Sequence, residues 1–360
     1  MFASAEINPA VQIERADGTI RDGLAMLAWD DAAPLWRSAV NKFAGAALYH
    51  REPWLQTLCG CYGLNLQMAA LFGSGELRAA AMFARCRGLF STRLVSLPFS
   101  DQGEVLAADD DSRDALLHAL AGAPGASAME VRGVAGPAPW VNVDCFLHWE
   151  VDLTRPFDKI YPTFGRQVKH KAKKARKENV SVERGASLDH MRRFYELQLE
   201  TRRRFGLPPQ PWRFFASVHE AFSRSGDCEI WLATHEGRVA AGLVVLRDGG
   251  TIYYKWGARR EDGPAGASHL LGMSLIEEFA GKAACLDLGR SDARNAGLNR
   301  FKEDLGGQSR PLPYTFLPSA PKHISSEVTS GPVKLARMVW KRLPLGVTRV
   351  AGELMYRYLA

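Results

Sequence analysis

The feature that most restricts the fold of this chain is a pattern of three short apolar runs that occurs twice. Each run is long enough for a β-strand, and glycine-containing turns join the runs, so each copy predicts an antiparallel meander. The first copy spans residues 66–97 and the second spans residues 229–258. Glycines mark the two turns at equivalent places in both copies: Gly75 and Gly237 in the first turn, Gly88 and Gly250 in the second.

The elements that follow each meander also come in the same order. A loop leads to a helix, at 112–120 in the first copy and at 268–280 in the second, and then to a strand. These strands end in glycine and arginine, in the strings MEVRG and LDLGR. Two copies of one supersecondary unit in the same order predict a duplicated domain.

A chain of 360 residues is long enough for two domains that each bury a core. Hydrophobic residues make up 46% of the chain and charged residues 24%, which is typical of a globular protein and excludes wholesale disorder. We therefore predict four segments: an N-terminal lead at 1–20, a first domain at 21–153, a second domain at 154–319 and a helical tail at 320–360.

Location and cofactor signals are weak in this sequence. The N-terminus lacks a basic region followed by an apolar core, and there is no apolar stretch of about 18 residues, so we expect a cytoplasmic protein. The six cysteines form no C-x-x-C pair, which predicts neither a disulfide framework nor a metal site. A formal charge of +7 favours an anionic partner, although 46 basic against 39 acidic residues is a small excess.

A run of cations opens the second copy. The string GRQVKHKAKKARKENVSVERG at 165–185 has seven Lys or Arg residues between positions 166 and 177. Val168, Ala172 and Ala175 recur at helical spacing within it, which predicts an amphipathic helix with a narrow apolar stripe. Its charged face either binds phosphate groups or is a solvated surface.

A second charged stretch, LDLGRSDARNAGLNRFKEDLGG at 286–307, changes from strand to turn to helix. Ser291 or Asp292 is placed to cap the helix, whose spacing begins near Asn295. An Arg, a Ser and an Asp follow the strand, and a Lys lies on the helix, so these groups either converge on one substrate group or are solvated charges. The first copy has no such continuation.

The tail combines apolar helical spacing with many cations. Its apolar face is interrupted at Pro344 and then continues toward the C-terminus. The tail is too charged to span a bilayer. Two interpretations remain open: a helix docked on the body of the protein, or a basic amphipathic helix at 333–359 that rests on the anionic surface of the inner membrane.

The order of elements resembles the GNAT acyltransferase fold, and its duplication with a basic helix at the start of the second copy resembles the FemAB family. The resemblance covers roughly residues 25–318. The strings that carry it are LYHREPWL, LPFSDQGEVL, ETRRRFGLPPQPWRFF and PLPYTFLP, together with the two charged stretches above. They are most similar to the bacterial branch with a BioF2-like acetyltransferase domain, which is associated with exopolysaccharide and PEP-CTERM protein-sorting genes. The implied fold class is α+β, with two tandem GNAT-type domains of mostly antiparallel sheets flanked by helices.

The resemblance implies a transferase that moves an acyl or aminoacyl group to an amine or hydroxyl of a cell-envelope or exopolysaccharide precursor. The donor is acyl-CoA, as in GNAT enzymes, or aminoacyl-tRNA, as in FemAB enzymes, and no tightly bound cofactor is implied. No Ser, His and Asp spacing suggests a nucleophile triad, so we expect direct transfer. The alternative is a non-catalytic module that binds nucleic acid or a membrane surface.

The resemblance also implies roles for individual residues. The lysine of the final F-K-x-x-x-G element is Lys302, expected to stabilise the developing oxyanion. Asp101 is expected to orient or deprotonate the acceptor, and His50 is an alternative base. A donor-phosphate pattern of Q/R-x-x-G-x-G/A matches Arg260, Gly263 and Ala265. However, Pro264 removes one backbone N–H from that loop. The remaining candidates are expected to bind substrate: Tyr49, Arg51, Ser100, Gln102, Arg203, Tyr254, Arg290 and Ser291.

Overall fold

The computed structural model describes residues 22–87, 92–123, 128–321 and 331–356. The predicted lead at 1–20 and the turn residue Gly88 lie outside these ranges. The described chain forms two compact units. The first unit contains the residues up to Cys145 and those from Leu312 to position 321, and the second contains Phe146–Pro311 and the C-terminal helices.

The first unit is built on an eight-stranded sheet. The strand order is β1-β2-β3-β4-β6-β15-β7, with β5 beside β3, and β4 and β6 run parallel. Its strands are β1 Gly23–Ala28, β2 Leu66–Gly73, β3 Glu76–Arg87, β4 Thr92–Ser96, β5 Leu106–Ala107, β6 Ala128–Arg132, β7 Val141–Val143 and β15 Tyr314–Leu317. Its helices are α1 Trp29–Lys42, α2 Glu52–Tyr62 and α3 Asp110–Gly122, with a 3-10 turn at Leu48–His50.

The second unit is built on a seven-stranded sheet in the order β14-β8-β13-β12-β11-β10-β9. Its strands are β8 Phe146–Asp152, β9 Ser181–Gly185, β10 Cys228–His235, β11 Arg238–Asp248, β12 Thr251–Arg259, β13 Cys285–Asp292 and β14 Gln308–Pro311. Its helices are α4 Phe157–Ile160, α5 Arg166–Lys177, α6 Leu188–Phe205, α7 Trp212–Ser223, α8 Ala267–Phe279, α9 Ala296–Asp304, α10 Gly331–Arg342 and α11 Leu345–Met355, with a 3-10 turn at Tyr161–Thr163.

The two sheets have the same order of elements, which confirms the predicted fold class. Each has a four-stranded antiparallel meander, and two helices separate its first two strands. A third helix leads to a strand parallel to the last meander strand: β6 beside β4, and β13 beside β12. Each sheet is then completed by two further antiparallel strands, β15 and β7 in the first, β8 and β14 in the second.

One strand in each sheet comes from the other half of the chain. The sequence predicts a single strand from Val141 to Leu153, but β7 and β8 are separate and belong to different sheets. Conversely, β15 follows β14 of the second sheet and pairs with β6 and β7 of the first. Strand alternation shows that a segment is extended, but it does not show which neighbour the segment pairs with.

The second core explains why its helices lie where they do. Strand β11 is buried along most of its length, so both of its faces need cover. Helix α6 begins at the cap Ser187, whose side chain accepts the backbone N–H of His190, and ends at Gly206 with φ +69°. Its apolar residues Phe194 and Leu197 pack onto β11, where Gly242 lets the helix approach the sheet closely.

Helices α10 and α11 pack against α6. The helical structure is interrupted between them at Pro344, as predicted. Within the described ranges, no helix is both long and apolar enough to cross a membrane.

We expect Gly242→Ala to destabilise the second unit, because the new Cβ would lie 2.9 Å from a ring carbon of Phe194 and 3.2 Å from a methyl group of Leu232. Overpacking of a buried site typically costs about 1–3 kcal/mol, which urea unfolding of the intact chain measures. Gly346→Ala on α11 is the control, since its Cβ meets nothing within 4 Å. Equal stability of Gly242→Ala and the wild type would contradict the close packing of α6.

Candidate functional site

The most distinctive feature of the second sheet is the separation of two parallel strands. Strands β12 and β13 pair only through Thr251–Tyr253 and Cys285–Asp287. Beyond that point β12 stays paired with β11, and β13 stays paired with β8. The carboxyl halves of β12 and β13 therefore diverge, and a crevice at the carboxyl ends of parallel strands is a common place for ligands in α/β sheets.

Strand β13 changes direction at a β-bulge between Asp287 and Gly289. Gly289 adopts the left-handed conformation, with φ +71°, which other residues adopt only at a cost. The carboxylate of Asp287 accepts the backbone N–H of Gly289 at 2.5 Å. The bulge is thus held by a buried side chain on its own strand.

Lys302 lies on α9 and reaches the bulge. Its side chain is buried, and its Nζ donates to the carbonyl oxygens of Gly289 at 2.9 Å and Arg290 at 3.0 Å. Two carbonyl partners compensate part of the cost of burying an ammonium and hold it in one position. The predicted catalytic lysine is therefore a fixed positive charge beside the end of β13.

Ser291, predicted to contact substrate, is buried within the turn. Its hydroxyl accepts the indole N–H of Trp149 at 2.7 Å and donates to the amide oxygen of Asn299 at 2.6 Å. Both hydrogen-bonding functions of the hydroxyl are thus used by the protein. The predicted helix cap, Ser291 or Asp292, is wrong: the side chain of Asn295 accepts the N–H of Leu298 and caps α9.

Two other predicted substrate contacts lie on these strands. The guanidinium of Arg290 stacks over the ring of Phe146, 4.2 Å from its centroid. Tyr254 packs beside Gly257, where a Cβ would lie 2.6 Å from the phenol oxygen. Burial raises the pKa of the Tyr254 phenol above its usual range, so the group remains a hydrogen-bond donor at neutral pH.

Sequence reasoning missed a polar group behind the bulge. The Nε2 of the fully buried His148 lies 2.8 Å from the Glu150 carboxylate and 3.8 Å from that of Asp287. The hydrogen bond from His148 holds the pKa of Glu150 below its usual value. The sequence does contain a signal for this group. His148 and Glu150 occupy alternate positions of a largely apolar strand, which places both side chains on one face of β8.

The predicted donor loop, 260–266, connects β12 to α8. Helix α8 begins after Gly266, and no side chain caps its N-terminus. Gly266 is required because a Cβ there would lie 2.1 Å from the carbonyl oxygen of Lys171 on α5. The basic helix is therefore packed directly behind the loop that leads into α8.

The three predicted donor residues have different surroundings. Arg260 donates through Nε to the Val239 carbonyl at 3.1 Å, and its Nη1 lies 3.1 Å from a carboxylate oxygen of Glu200. Gly263 packs closely on the backbone of β11, and Ala265 is exposed. Arg260 thus fixes the start of the loop, while Glu261, Asp262 and Ala265 are exposed.

An open depression of about 760 Å³ lies beside this loop. It brings together two predicted residues, Arg203 and Arg260, whose proximity the sequence did not indicate. The pKa of Arg204 is lowered by burial and by repulsion from the neighbouring Arg259. Such crowding of cations attracts an anion. Five cations and three carboxylates line the depression: Arg203, Arg204, Arg259, Arg260, Lys341, Glu200, Glu261 and Asp262.

The first unit has the same parallel pair but closes the space beyond it. Strands β4 and β6 pair through three residues on each side, and Gly103 then bridges to Arg132 at the end of β6. The hydroxyl of Ser96 accepts the backbone N–H of Arg132 at 2.9 Å. The segment that closes the gap contains two strained residues, Leu97 at φ +43° and Phe99 at φ +62°.

The candidate residues of the first unit gather around this closing segment. Tyr49 donates its hydroxyl to the carboxylate of Asp101 at 2.7 Å, and the indole N–H of Trp54 donates to the Ser100 hydroxyl at 2.8 Å. Gln102, the next residue along the chain, is buried, and Arg51 is the N-cap residue that precedes α2.

His50 is fully buried, and both of its ring nitrogens contact the backbone. The N–H of Ala47 donates to Nδ1 at 3.0 Å, so Nε2 carries the proton and donates to the Glu104 carbonyl at 3.1 Å. This arrangement suits a residue that positions the 3-10 turn, and it favours Asp101 over His50 as the predicted base.

Sequence reasoning also missed a buried ion pair next to this group. Arg132 donates to the Glu130 carboxylate at 2.8 Å and to the Ser100 carbonyl at 3.2 Å. Its guanidinium lies over the ring of Tyr314, whose hydroxyl donates to the Asp101 carbonyl at 3.3 Å. Tyr314 belongs to β15, the strand that follows the second sheet in sequence but pairs within the first. This strand therefore helps to hold the segment that carries Asp101.

We expect His269, in the first turn of α8, to make the protein acid-sensitive. Burial, followed by the charge of Lys171, lowers its pKa to about 4, whereas an unfolded histidine titrates near 6.5. As pH falls below about 6.5 the unfolded chain takes up a proton that the folded chain refuses, so stability is lost until about pH 4. Over this pH range the free energy of unfolding of His269→Asn should fall by about 2 kcal/mol less than that of the wild type. This figure is reduced to allow for the partial exposure of the side chain.

Denaturant unfolding between neutral pH and about pH 4 measures this difference. His170→Asn is the matched control, because His170 is an exposed histidine on α5. Identical pH profiles of the wild type and His269→Asn would contradict the assignment of a desolvated histidine at this helix start.

Comparisons with known proteins agree with this fold. Residues 163–303 match the family model of the acetyltransferase (GNAT) domain. The crystal structure of FemX is similar with a TM-score of 0.59 at 14% identity, over 78% of this chain and 95% of that chain. The structure of L-PGS from Bacillus licheniformis gives a TM-score of 0.50 at 13% identity, over 86% of this chain and 97% of that chain. No curated protein gave a match. The fold is that of two tandem GNAT-type domains, and the second contains the segment that matches the GNAT acetyltransferase model.

Proposed function

We propose that the protein is an acyltransferase that moves an acyl or aminoacyl group directly to an amine or hydroxyl of a cell-envelope or exopolysaccharide precursor. The observation that carries the proposal is the end of pairing between β12 and β13 after three residues, together with a buried ammonium that is hydrogen-bonded to β13 and a helix α8 whose N-terminus no side chain caps. The GNAT family match over residues 163–303 supports the same chemistry.

In this reaction the acceptor nitrogen or oxygen attacks the carbonyl carbon of the donor's acyl group. The carbonyl oxygen becomes negatively charged in the tetrahedral intermediate. That charge then expels the donor's sulfur or ester oxygen, and the acceptor loses its proton to a base. Lys302 is assigned to stabilise the oxyanion, because a charge held by the Gly289 and Arg290 carbonyls needs no reorganisation as the intermediate forms.

Direct transfer fits the cysteine chemistry better than an acyl-enzyme. Burial raises the pKa of the Cys59 and Cys86 thiols to about 11 and that of Cys228 to about 12. Burial also raises the pKa of Cys285. These thiols are protonated at neutral pH and are poor nucleophiles.

For the donor, we propose that its phosphate groups bind in the depression lined by Arg203, Arg204 and Arg259 and at the start of α8. A helix N-terminus favours an anion, and guanidinium groups bind phosphate oxygens in pairs. The compact loop and the modest size of the depression, about 760 Å³, favour acyl-CoA over aminoacyl-tRNA.

For the acceptor, we propose recognition by the Tyr49–Asp101 pair of the first unit. The carboxylate of Asp101 is partly exposed and is oriented by the Tyr49 hydroxyl. Such a carboxylate can bind an ammonium group or take a proton from it. Asp101 therefore remains the proposed base.

We expect Lys302→Ala to lower kcat for acetyl transfer by a factor of about 100–1000, the usual effect of removing one oxyanion donor. Radiolabelled acetyl-CoA offered with amino-sugar acceptors measures the rate. Lys302→Arg should retain part of the activity, because it keeps a positive charge. Lys282→Ala removes an exposed lysine instead and should be silent.

Because Lys302 is buried, thermal unfolding of each variant must accompany the kinetics. If Lys302 had a purely structural role, Lys302→Ala would have a lower melting temperature, but its kcat per folded molecule would equal that of the wild type. Equal kcat of wild type and folded Lys302→Ala would contradict the proposed mechanism.

We expect the double substitution Arg203→Gln and Arg204→Gln to raise KM for acetyl-CoA about tenfold, corresponding to the loss of roughly one charge-assisted hydrogen bond, while kcat stays within about twofold. Arg224→Gln, at the exposed position that follows α7, is the control. Stabilisation of the wild type by tRNA, with no effect of acetyl-CoA, would identify a tRNA-linked donor instead. No transfer and no stabilisation by either would favour a non-catalytic binding module.

A further inference from the structure

The C-terminal helices α10 and α11 carry an unusual share of exposed apolar surface. Of the twelve large hydrophobic side chains that are exposed in the described part of the chain, seven lie on these two short helices. Leu335 is 59% exposed and Leu354 is 67% exposed, far more than a core-facing helix allows. The other five are Met338, Val339, Val347, Val350 and Met355.

These side chains lie opposite the face that packs on the protein. Arg337 contacts α6 at Gly206, where an added Cβ would lie 2.7 Å from the Arg337 carbonyl oxygen. On α11 Thr348 is buried, and Gly352 lies against Pro209. Leu335, Met338 and Val339 on α10, and Val347, Val350 and Leu354 on α11, recur at intervals of three, four and seven, which places them on the outer side of each helix. Both apolar stripes therefore point away from α6.

Cations accompany the stripes. Lys334, Arg342 and Arg349 are exposed, and none of them has a carboxylate within ion-pair distance among the residues that the structure describes. Lys341 is also basic and exposed, and between positions 334 and 356 Glu353 is the single acidic residue. The surface thus combines aliphatic side chains with a positive charge that the protein itself does not neutralise.

We propose that the outer face of α10 and α11 docks on an anionic phospholipid bilayer, with the apolar stripes among the acyl-chain ends and the cations at the head groups. An interfacial helix needs these two features together. A second copy of the chain fits less well, because a twofold interface would bring the same cations face to face. Nucleic acid also fits less well, since the seven exposed side chains include no aromatic ring for stacking on bases. The proposal is independent of the acyl-transfer activity.

Co-sedimentation of the full chain with lipid vesicles tests the proposal. We expect binding to vesicles of phosphatidylcholine and phosphatidylglycerol in equal parts, weak binding to phosphatidylcholine alone, and a decline with added salt. The triple variant Leu335→Ser, Met338→Ser and Leu354→Ser should bind at least about tenfold more weakly, because each substitution removes buried apolar area. A matched control replaces exposed apolar residues elsewhere: Val141→Ser, Leu188→Ser and Leu298→Ser.

A second set of variants tests the charges. Lys334→Gln, Arg342→Gln and Arg349→Gln together should also weaken binding by about tenfold or more, since each cation near an anionic surface contributes on the order of a few-fold to affinity. Lys173→Gln, Lys174→Gln and Lys177→Gln remove the same number of exposed cations from α5 and should have little effect. Because all substituted side chains are exposed, every variant should fold as the wild type does.

Three results would overturn the proposal. One is equal partitioning of the wild type and both tail variants onto anionic vesicles. Another is loss of binding in the α5 variant alone. The third is a concentration-dependent dimer in sedimentation equilibrium that the tail substitutions abolish, since the face would then be a contact between copies of the chain.

Discussion

The chemistry assigned to the second unit depends on the separation of β12 from β13. Two parallel strands would normally continue to exchange hydrogen bonds, but β12 and β13 stop pairing after three residues, where β13 has a bulge between Asp287 and Gly289. The bulge is stabilised from two sides, by the Asp287 carboxylate on a backbone N–H and by the Lys302 ammonium on two carbonyls. A buried ammonium without such partners would cost several kcal/mol. The contacts that hold the bulge therefore also fix a positive charge beside β13, where we propose that the oxyanion forms.

The two copies share a sheet order but differ at this point. In the first unit Gly103 bridges to Arg132 and the Ser96 hydroxyl accepts a β6 backbone N–H beyond the end of the parallel pairing. Its polar residues are instead gathered at the closing segment, where Asp101 accepts the Tyr49 hydroxyl. On this basis we propose that the second copy binds the donor and that the first recognises the acceptor.

Much of the fold could be predicted from sequence because its signals are local. Helices α3 and α8 begin and end within two residues of their predicted ends, because apolar residues recur at helical spacing in both. Pairing between distant segments could not be predicted: nothing in VNVDCFLHWEVD shows that β7 and β8 belong to different sheets. For the site, spacing and resemblance singled out Lys302, but its carbonyl partners depend on a bulge with no local signal. Ser291 and His50 are candidates because of their side-chain chemistry. In the structure their polar atoms form hydrogen bonds within the protein, with partners that are distant in sequence or set by the local turn and so could not be predicted.

The central claim is that the donor binds to the second unit alone, at the loop 260–266 and the start of α8. Hydrogen–deuterium exchange of the intact protein, with and without saturating acetyl-CoA, tests this most directly. The account predicts slower exchange of the backbone amides in the first turn of α8 and at the end of β13, with no change in the segment 97–103 of the first unit. Protection of 97–103 with no change at the start of α8 would contradict it.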